Sequence, residues 1–304
     1  MHNFLWGVVD DGRGISLAKE LNVSLYARHL NLHEDLFDLH EKTMRPMLII
    51  DEITCKDLPL LEKVFTFYQD VPYWIIGNHG RKCDEELASV YAQAVLLLKK
   101  INRNAIIGSL ITYTPAFPLT YHIEHQLAKQ NFDALNNHYW IDVIVKGKLN
   151  GAKHEKLLKE ASSCIDFLGV SYRKSVTVLY QPFKGAKYPY RIDEKHTQNF
   201  DLGLYYLCHE LTSRYDLPLM IFEKHLDHDN DSLHDPYRKD LLRESIKQVM
   251  ESKRDGCPIQ GYMIEPLVDH DHQGLVTKDL QEKESFAYFK DLIKGDDVRE
   301  RNDS

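Results

Sequence analysis

The chain has 304 residues, with 38 Lys and Arg against 46 Asp and Glu, a formal charge of −8, and 43% hydrophobic residues. An acidic balance with no block of Lys or Arg excludes a binder that tracks nucleic-acid phosphates. No apolar run approaches the roughly 18 residues a membrane helix needs, so no membrane partner is expected.

Taken in chain order, short β-rich runs alternate with amphipathic stretches. The runs are Phe4 to Val9, Val23 to Ala27, Met47 to Ile50, Tyr73 to Gly77, Ala105 to Tyr113, Ile165 to Tyr172, Leu219 to Phe222 and Ile259 to Ile264. Helical patterns follow them at 14–21, 33–43, 57–69, 84–101, 122–140, 197–215, 235–254 and 282–294. In 84–101, Asp84, Glu85 and Glu86 stand at the front and Lys99 and Lys100 at the back, the order a helix dipole favours. Segment 235–254 opens with Asp235 as a cap and Pro236 at the first helical position. Eight β-then-α units without a Gly/Ser linker predict one α/β domain over 1–294, a single (β/α)8 TIM barrel with trimmed βα loops, followed by a frayed charged tail over 295–304. An open doubly wound sheet is the alternative. Against it stands the first βα turn, Asp10-Asp11-Gly12-Arg13-Gly14, which would face a dinucleotide pyrophosphate with two acids.

The opening residues lack the basic and long apolar regions of a secretory leader, so a cytoplasmic protein is expected. Five cysteines, Cys55, Cys83, Cys164, Cys208 and Cys257, are odd in number and widely spaced, which suits reduced thiols. In a barrel, chemistry sits at the strand C-terminal ends. The candidates there are Asp10, Arg28, Asp51, Glu52, Asn78, His79, Ser171, Tyr172, Arg173, Glu223 and the run from Glu265 to His272.

Several segments resemble glycoside hydrolase family 1, the β-glucosidase and 6-phospho-β-glucosidase family. They are Phe4-Leu5-Trp6-Gly7, Tyr73-Trp74-Ile75-Ile76-Gly77-Asn78, Asp166-Phe167-Leu168-Gly169-Val170-Ser171-Tyr172 and Leu217-Pro218-Leu219-Met220-Ile221-Phe222-Glu223. Thr114 to Pro118 with Tyr139 to Asp142, and Asp235-Pro236-Tyr237-Arg238 through Gly256 to Tyr262, continue the likeness in order. The resemblance implies a retaining β-glycosidase with a small carbohydrate or β-glycoside as partner and no cofactor.

The departures define what is expected of the site. The first three units are compressed into the opening 70 residues, so much of a leaving-group cleft should be absent. Where the family has its acid/base glutamate in Asn-Glu-Pro, this chain reads Asn78-His79-Gly80, placing His79 in the acid/base position. Glu223 matches the nucleophile, although its neighbours Lys224 and His225 do not match. Asn78 and Tyr172 are carried over as substrate-binding, the strand-end Arg28 and Arg173 join them as candidates, and Glu265 and His272 replace the residues that grip the sugar after the eighth strand. Thr277-Lys278 is the only trace of a 6-phosphate signature. Together these imply a glycosidase of reduced or altered activity, or a carbohydrate-binding pseudoenzyme on the same barrel. Residue by residue, Glu223 can serve as the attacking carboxylate or as one half of an ion pair. His79 can shuttle a proton or merely fill space. Asp51 and Glu52 offer a substitute carboxyl or a solvated strand end. Trp74 reads as core and Trp140 as a possible sugar platform. A third reading, a metal-dependent hydrolase, rests on His225, Asp227, His228, Asp229, Asp231 and His234 with Asp269 to His272. Their spacing dictates no geometry, so no metal site is predicted. Oligomeric state is not legible in the sequence.

Overall fold

The computed structural model describes residues 4–34, 44–51, 53–77, 84–149, 154–172, 174–182, 189–193, 202–223, 233–270 and 273–302, with side chains as far as residue 295. Its strands are β1 (Leu5–Val9), β2 (Leu25–His29), β3 (Arg45–Ile50), β4 (Tyr73–Ile76), β5 (Ile106–Tyr113), β6 (Ala116–Pro118), β7 (Phe167–Tyr172), β8 (Val176–Tyr180), β9 (Tyr190–Ile192), β10 (Leu219–Glu223) and β11 (Ile259–Ile264). Its α-helices are α1 (Ile15–Leu21), α2 (Leu58–Phe67), α3 (Glu85–Ile101), α4 (Ile123–Phe132), α5 (Tyr139–Lys146), α6 (Glu155–Ser162), α7 (Gly203–Arg214), α8 (Pro236–Arg254) and α9 (Glu284–Asn302).

Eight of the strands, the eight that the sequence pattern predicts, close into a parallel barrel in the order β1-β2-β3-β4-β5-β7-β10-β11. The last pairs with the first, Leu5 opposite Gly261 and Val8 opposite Ile264. Successive side chains on a strand point to opposite faces, and here both faces are apolar. Val9, Leu25, Ala27, Met47, Ile49, Ile75, Phe167, Met220, Phe222 and Met263 fill the lumen. Val8, Tyr26, Leu48, Ile50, Trp74, Val170, Ile221 and Ile264 pack outward under the helices. Gly108 is required by that filling, because a Cβ there would lie 2.3 Å from the Phe167 ring that crosses the lumen. Trp74 is core, fully buried, with its indole N–H donating to the Val71 carbonyl at 3.0 Å.

Several elements differ from the sequence reading. The small sheet β6-β8-β9 was not predicted, since two of its strands are only three residues long. The single helix expected over 122–140 is split by a π-helical turn, Asp133–His138, between α4 and α5. The wider turn buries Asn137, whose amide accepts from the Thr114 N–H at 3.1 Å and donates to the Thr114 carbonyl at 2.8 Å, fastening the helix to the end of β5. Asp84, which the sequence places at the front of this helix, caps α3, accepting from the Leu87 N–H at 2.8 Å. Asp235 precedes Pro236 but does not cap α8. Its carboxylate instead accepts from the Ser285 N–H at 2.9 Å and the Ser285 hydroxyl at 2.5 Å, anchoring the first turn of α9. The backbone over 295–302 continues α9. Of the helix expected over 33–43, residues 35–43 lie outside the described residues.

Candidate active site at the barrel mouth

Strand alternation decides which end residues face the lumen. On β2, Leu25 and Ala27 point inward, and His29 continues that series. Asp51 continues Met47 and Ile49 on β3, and Glu265 continues Met263 on β11. These three meet. His29 Nδ1 lies 2.5 Å from Asp51 Oδ2, and Nε2 lies 3.3 Å from Glu265 Oε1. Burial alone would depress the imidazole pKa, but the hydrogen bonds and charges of Asp51 and Glu265 outweigh it and raise it to about 9. His29 is therefore an imidazolium at neutral pH, donating from both ring nitrogens.

Beside this trio opens a cavity of about 420 Å³ between the ends of β1, β2 and β11, within the range that takes a small ligand. Arg28, His29 and Glu265 form one side; Asp10, Asp11 and Arg13 of the first βα turn form another. Asp10 organises the turn: its Oδ2 accepts from the Gly12 N–H, the Gly14 N–H and the Tyr26 hydroxyl at 2.9, 2.8 and 2.7 Å. Gly12 sits at φ +107°, and a Cβ there would lie 2.8 Å from the Arg28 guanidinium, so the glycine lets Arg28 lie flat across the turn. Arg28 Nη2 donates to the Asp11 carbonyl at 2.6 Å. Partial burial works against the Asp11 charge, but Arg13 and then Arg28 hold its carboxyl below the usual range.

The other side of the mouth is different. Leu219 and Ile221 of β10 point to the helices, and Glu223 falls in the same outward series, opposite Tyr172 and Ile264 in the register. Its carboxylate meets Arg238 of α8, Nη1 to Oε1 at 2.5 Å, with both side chains buried. The position expected for a nucleophile is thus tied into the layer behind the barrel wall. Tyr172 is also outward. Its hydroxyl lies 3.3 Å from Ser175 Oγ, and a Cβ on Gly203 of α7 would come within 2.3 Å of it. Tyr172, expected to face a sugar, is packed in the layer between barrel and helices.

Of the predicted site residues, Arg28 and Glu265 line the cavity together, while Glu223 and Tyr172 stand away from it. Asn78, His79, Arg173 and His272 lie outside the described residues, as do His225, Asp227, His228, Asp229, Asp231 and Glu52. Asp269, offered as a metal ligand, is instead buried against Lys283 at 2.9 Å and accepts from the Gly274 N–H at 2.6 Å. His234 pairs with Glu284 at 2.6 Å. Trp140 packs edge-on against Tyr91 at 5.6 Å, beneath α3, so it offers no platform to a sugar at the mouth. The residue the sequence reading missed is His29. Counting alternate positions from Leu25 and Ala27 would have found it beside its neighbour Arg28.

A parallel eight-stranded barrel with its polar residues gathered at one mouth defines a (β/α)8 barrel protein with a strand-end site. Residues 82–297 match the sequence model of Glycosyl hydrolase family 1, and the chain belongs to that family. It is 25% identical over 266 residues to the aryl-phospho-β-D-glucosidase BglC of Bacillus subtilis (strain 168), covering 67% of this chain and 56% of that one. It is 26% identical over 255 residues to a 6-phospho-β-glucosidase of Clostridium longisporum, covering 66% and 54%. The chain thus spans just over half the length of these relatives. Its fold is similar to that of a β-glucosidase from Thermotoga maritima solved with glucoimidazole, with a TM-score of 0.82, 17% identity, and 97% and 99% of the two chains covered.

Proposed function

We propose that this protein is a family 1 type β-glycosidase of reduced or altered activity, in which binding of a small β-glycoside outlasts its cleavage. The observation that carries the reading is the placement of Glu223. A retaining glycosidase needs one carboxylate aimed at the anomeric carbon and a second carboxyl about 5 Å away. Glu223 faces the helices and holds Arg238, so attack from it requires breaking a buried ion pair first. By resemblance, His79 stands where the family has its acid/base glutamate, which removes a second part of the usual machinery. Family membership and the β-glucosidase relatives support a β-glycoside as the ligand, and the cavity beside His29 and Glu265 supplies donors and acceptors for its hydroxyls. The reading needs no cofactor. A cytoplasmic setting is supported by free Cys55, Cys164, Cys208 and Cys257, and no described helix is long and apolar enough to cross a membrane.

The test combines calorimetry with a mechanism-based 2-fluoro-β-glucoside. Binding of a simple β-glucoside is expected, with covalent labelling of Glu223 slow or absent, and activated aryl glycosides are cleaved far better than alkyl ones, since acid catalysis contributes about 10² to 10⁴-fold only where a proton must be delivered. Rapid stoichiometric labelling of Glu223 would overturn the reading in favour of a fully competent glycosidase. Binding without any turnover assigns the same barrel to a carbohydrate-binding pseudoenzyme.

A further inference from the structure

Behind β5 lies a polar network that the proposed glycoside site does not use. It centres on the π-helical turn Asp133–His138, a local widening of the kind often found at functional sites. Asp133 is held by Lys129 at 2.6 Å and by the Asn137 amide at 2.8 Å, and Lys129 also donates to the Tyr206 hydroxyl at 3.0 Å. Two atoms at the centre differ. His138 Nε2 and the Tyr113 hydroxyl are buried, on residues 4% and 1% exposed, and find no hydrogen-bond partner among the described residues. The proton positions follow from the neighbours. Tyr215 gives its hydroxyl proton to Asp142 Oδ1 at 3.1 Å, so its oxygen accepts from His138 Nδ1, also at 3.1 Å, and Nδ1 carries hydrogen. Burial and the Arg214 charge outweigh the pull of Glu210 and Asp142 and depress the imidazole pKa to about 4. The ring is therefore neutral at pH 7, and Nε2 is a bare lone pair.

That lone pair faces Glu210 Oε1 at 3.6 Å, a second acceptor, which Arg214 Nε holds at 2.6 Å. Two acceptors so placed need a donor between them. The Tyr113 ring stands edge-on to the imidazole with centroids 5.8 Å apart, and burial, then the charges of Asp133 and Glu210, raise its pKa, so its hydroxyl has a proton to give. We infer that the π-turn holds one internal water, which donates to His138 Nε2 and to Glu210 and accepts from the Tyr113 hydroxyl. Internal waters make about three hydrogen bonds to groups that otherwise lack them, the number this site offers. Among the described residues no group of three His, Cys, Asp or Glu is placed to hold a metal ion, which favours water over zinc as the occupant. The water would join the end of β5, the π-turn and α7 at one point, apart from the glycoside site.

Two measurements on the unmodified full chain test this without any sugar. A high-resolution crystal structure is expected to show one water about 2.7–3.2 Å from His138 Nε2, the Glu210 carboxylate and the Tyr113 hydroxyl. Proton–nitrogen NMR of the His138 ring should find hydrogen on Nδ1 and none on Nε2. Tyr113→Phe and Glu210→Gln then enter a double-mutant cycle. These two side chains share no direct hydrogen bond, so a water between them makes their effects on the folding equilibrium non-additive, by about fivefold. Hydrogen on Nε2 donated directly to Glu210 overturns the inference, as does a zinc ion at the position, or strict additivity with no density there. Should the double variant fail to fold, the two measurements on the unmodified chain decide between these outcomes.

Discussion

The two sides of the barrel mouth use acidic residues in opposite ways. On the side of β1, β2 and β11, strand alternation turns His29, Asp51 and Glu265 toward the lumen, where they hold one another at the edge of a cavity. On the side of β7 and β10, the same alternation turns Tyr172 and Glu223 outward, where they fasten α7 and α8 to the barrel. A one-residue step along a strand thus separates a carboxylate that can meet a ligand from one that holds the scaffold. Family membership alone gives no hint of this division.

The largest expected effect attacks the scaffold side. Arg238→Met leaves the Glu223 carboxylate buried opposite an apolar side chain and should cost about 3–5 kcal/mol in urea unfolding. Adding Glu223→Leu should recover much of that loss. A cost below about 1 kcal/mol would mean that Glu223 relaxes toward solvent, and the contrast between the two sides would collapse. A smaller effect is expected from Gly203→Ala, whose methyl group must displace the Tyr172 and Ser175 hydroxyls, at about 1–3 kcal/mol. Tyr172→Phe should relieve part of it in a double-mutant cycle, whereas strict additivity would place the Tyr172 ring elsewhere.

The smallest effect lies on the lumen side and is read by pH. With its folded pKa raised to about 9, His29 contributes stability that is fully present below its unfolded value near 6.5 and is lost as pH rises through about 9. The melting-temperature gap between wild type and His29→Gln should therefore be open at pH 6 and closed above pH 10. NMR titration of the His29 ring should give the raised midpoint directly, and Asp51→Asn should lower it. A midpoint near the ordinary histidine value in the wild type would remove the imidazolium from the trio.

Much of the architecture was legible because the physics behind it is local. Runs such as Met47 to Ile50 and Leu219 to Phe222, apolar on both faces, announce buried parallel strands. Asp84 with Glu85 and Glu86 announces the start of α3. What escaped depends on partners distant in sequence. Asn137 makes sense in a π-turn only once Thr114 is beside it. The pairing of His29 with Glu265 brings together residues from the second and last barrel strands. Glu223 was read by its match to a motif, yet its placement follows from Arg238 on the next helix, whose full burial no sequence pattern signals. Asp235 looked like the cap of the helix that follows it and serves Ser285 instead.

The seam between β1 and β11 sets the timetable of assembly. Leu5 is synthesised well before Gly261, its neighbour in the register. Until that last strand is made, the outer edge of β1 presents unpaired N–H and C=O groups in a segment of Leu, Trp and Val, the kind of edge that recruits other chains. Synthesis order and ring closure therefore oppose each other, and the nascent chain stays sticky until β11 is made. Slowing elongation should increase aggregation of this protein, whereas a circular permutant opened at an exposed loop between two mid-barrel units, so that β1 and β11 are synthesised back to back, should escape that penalty.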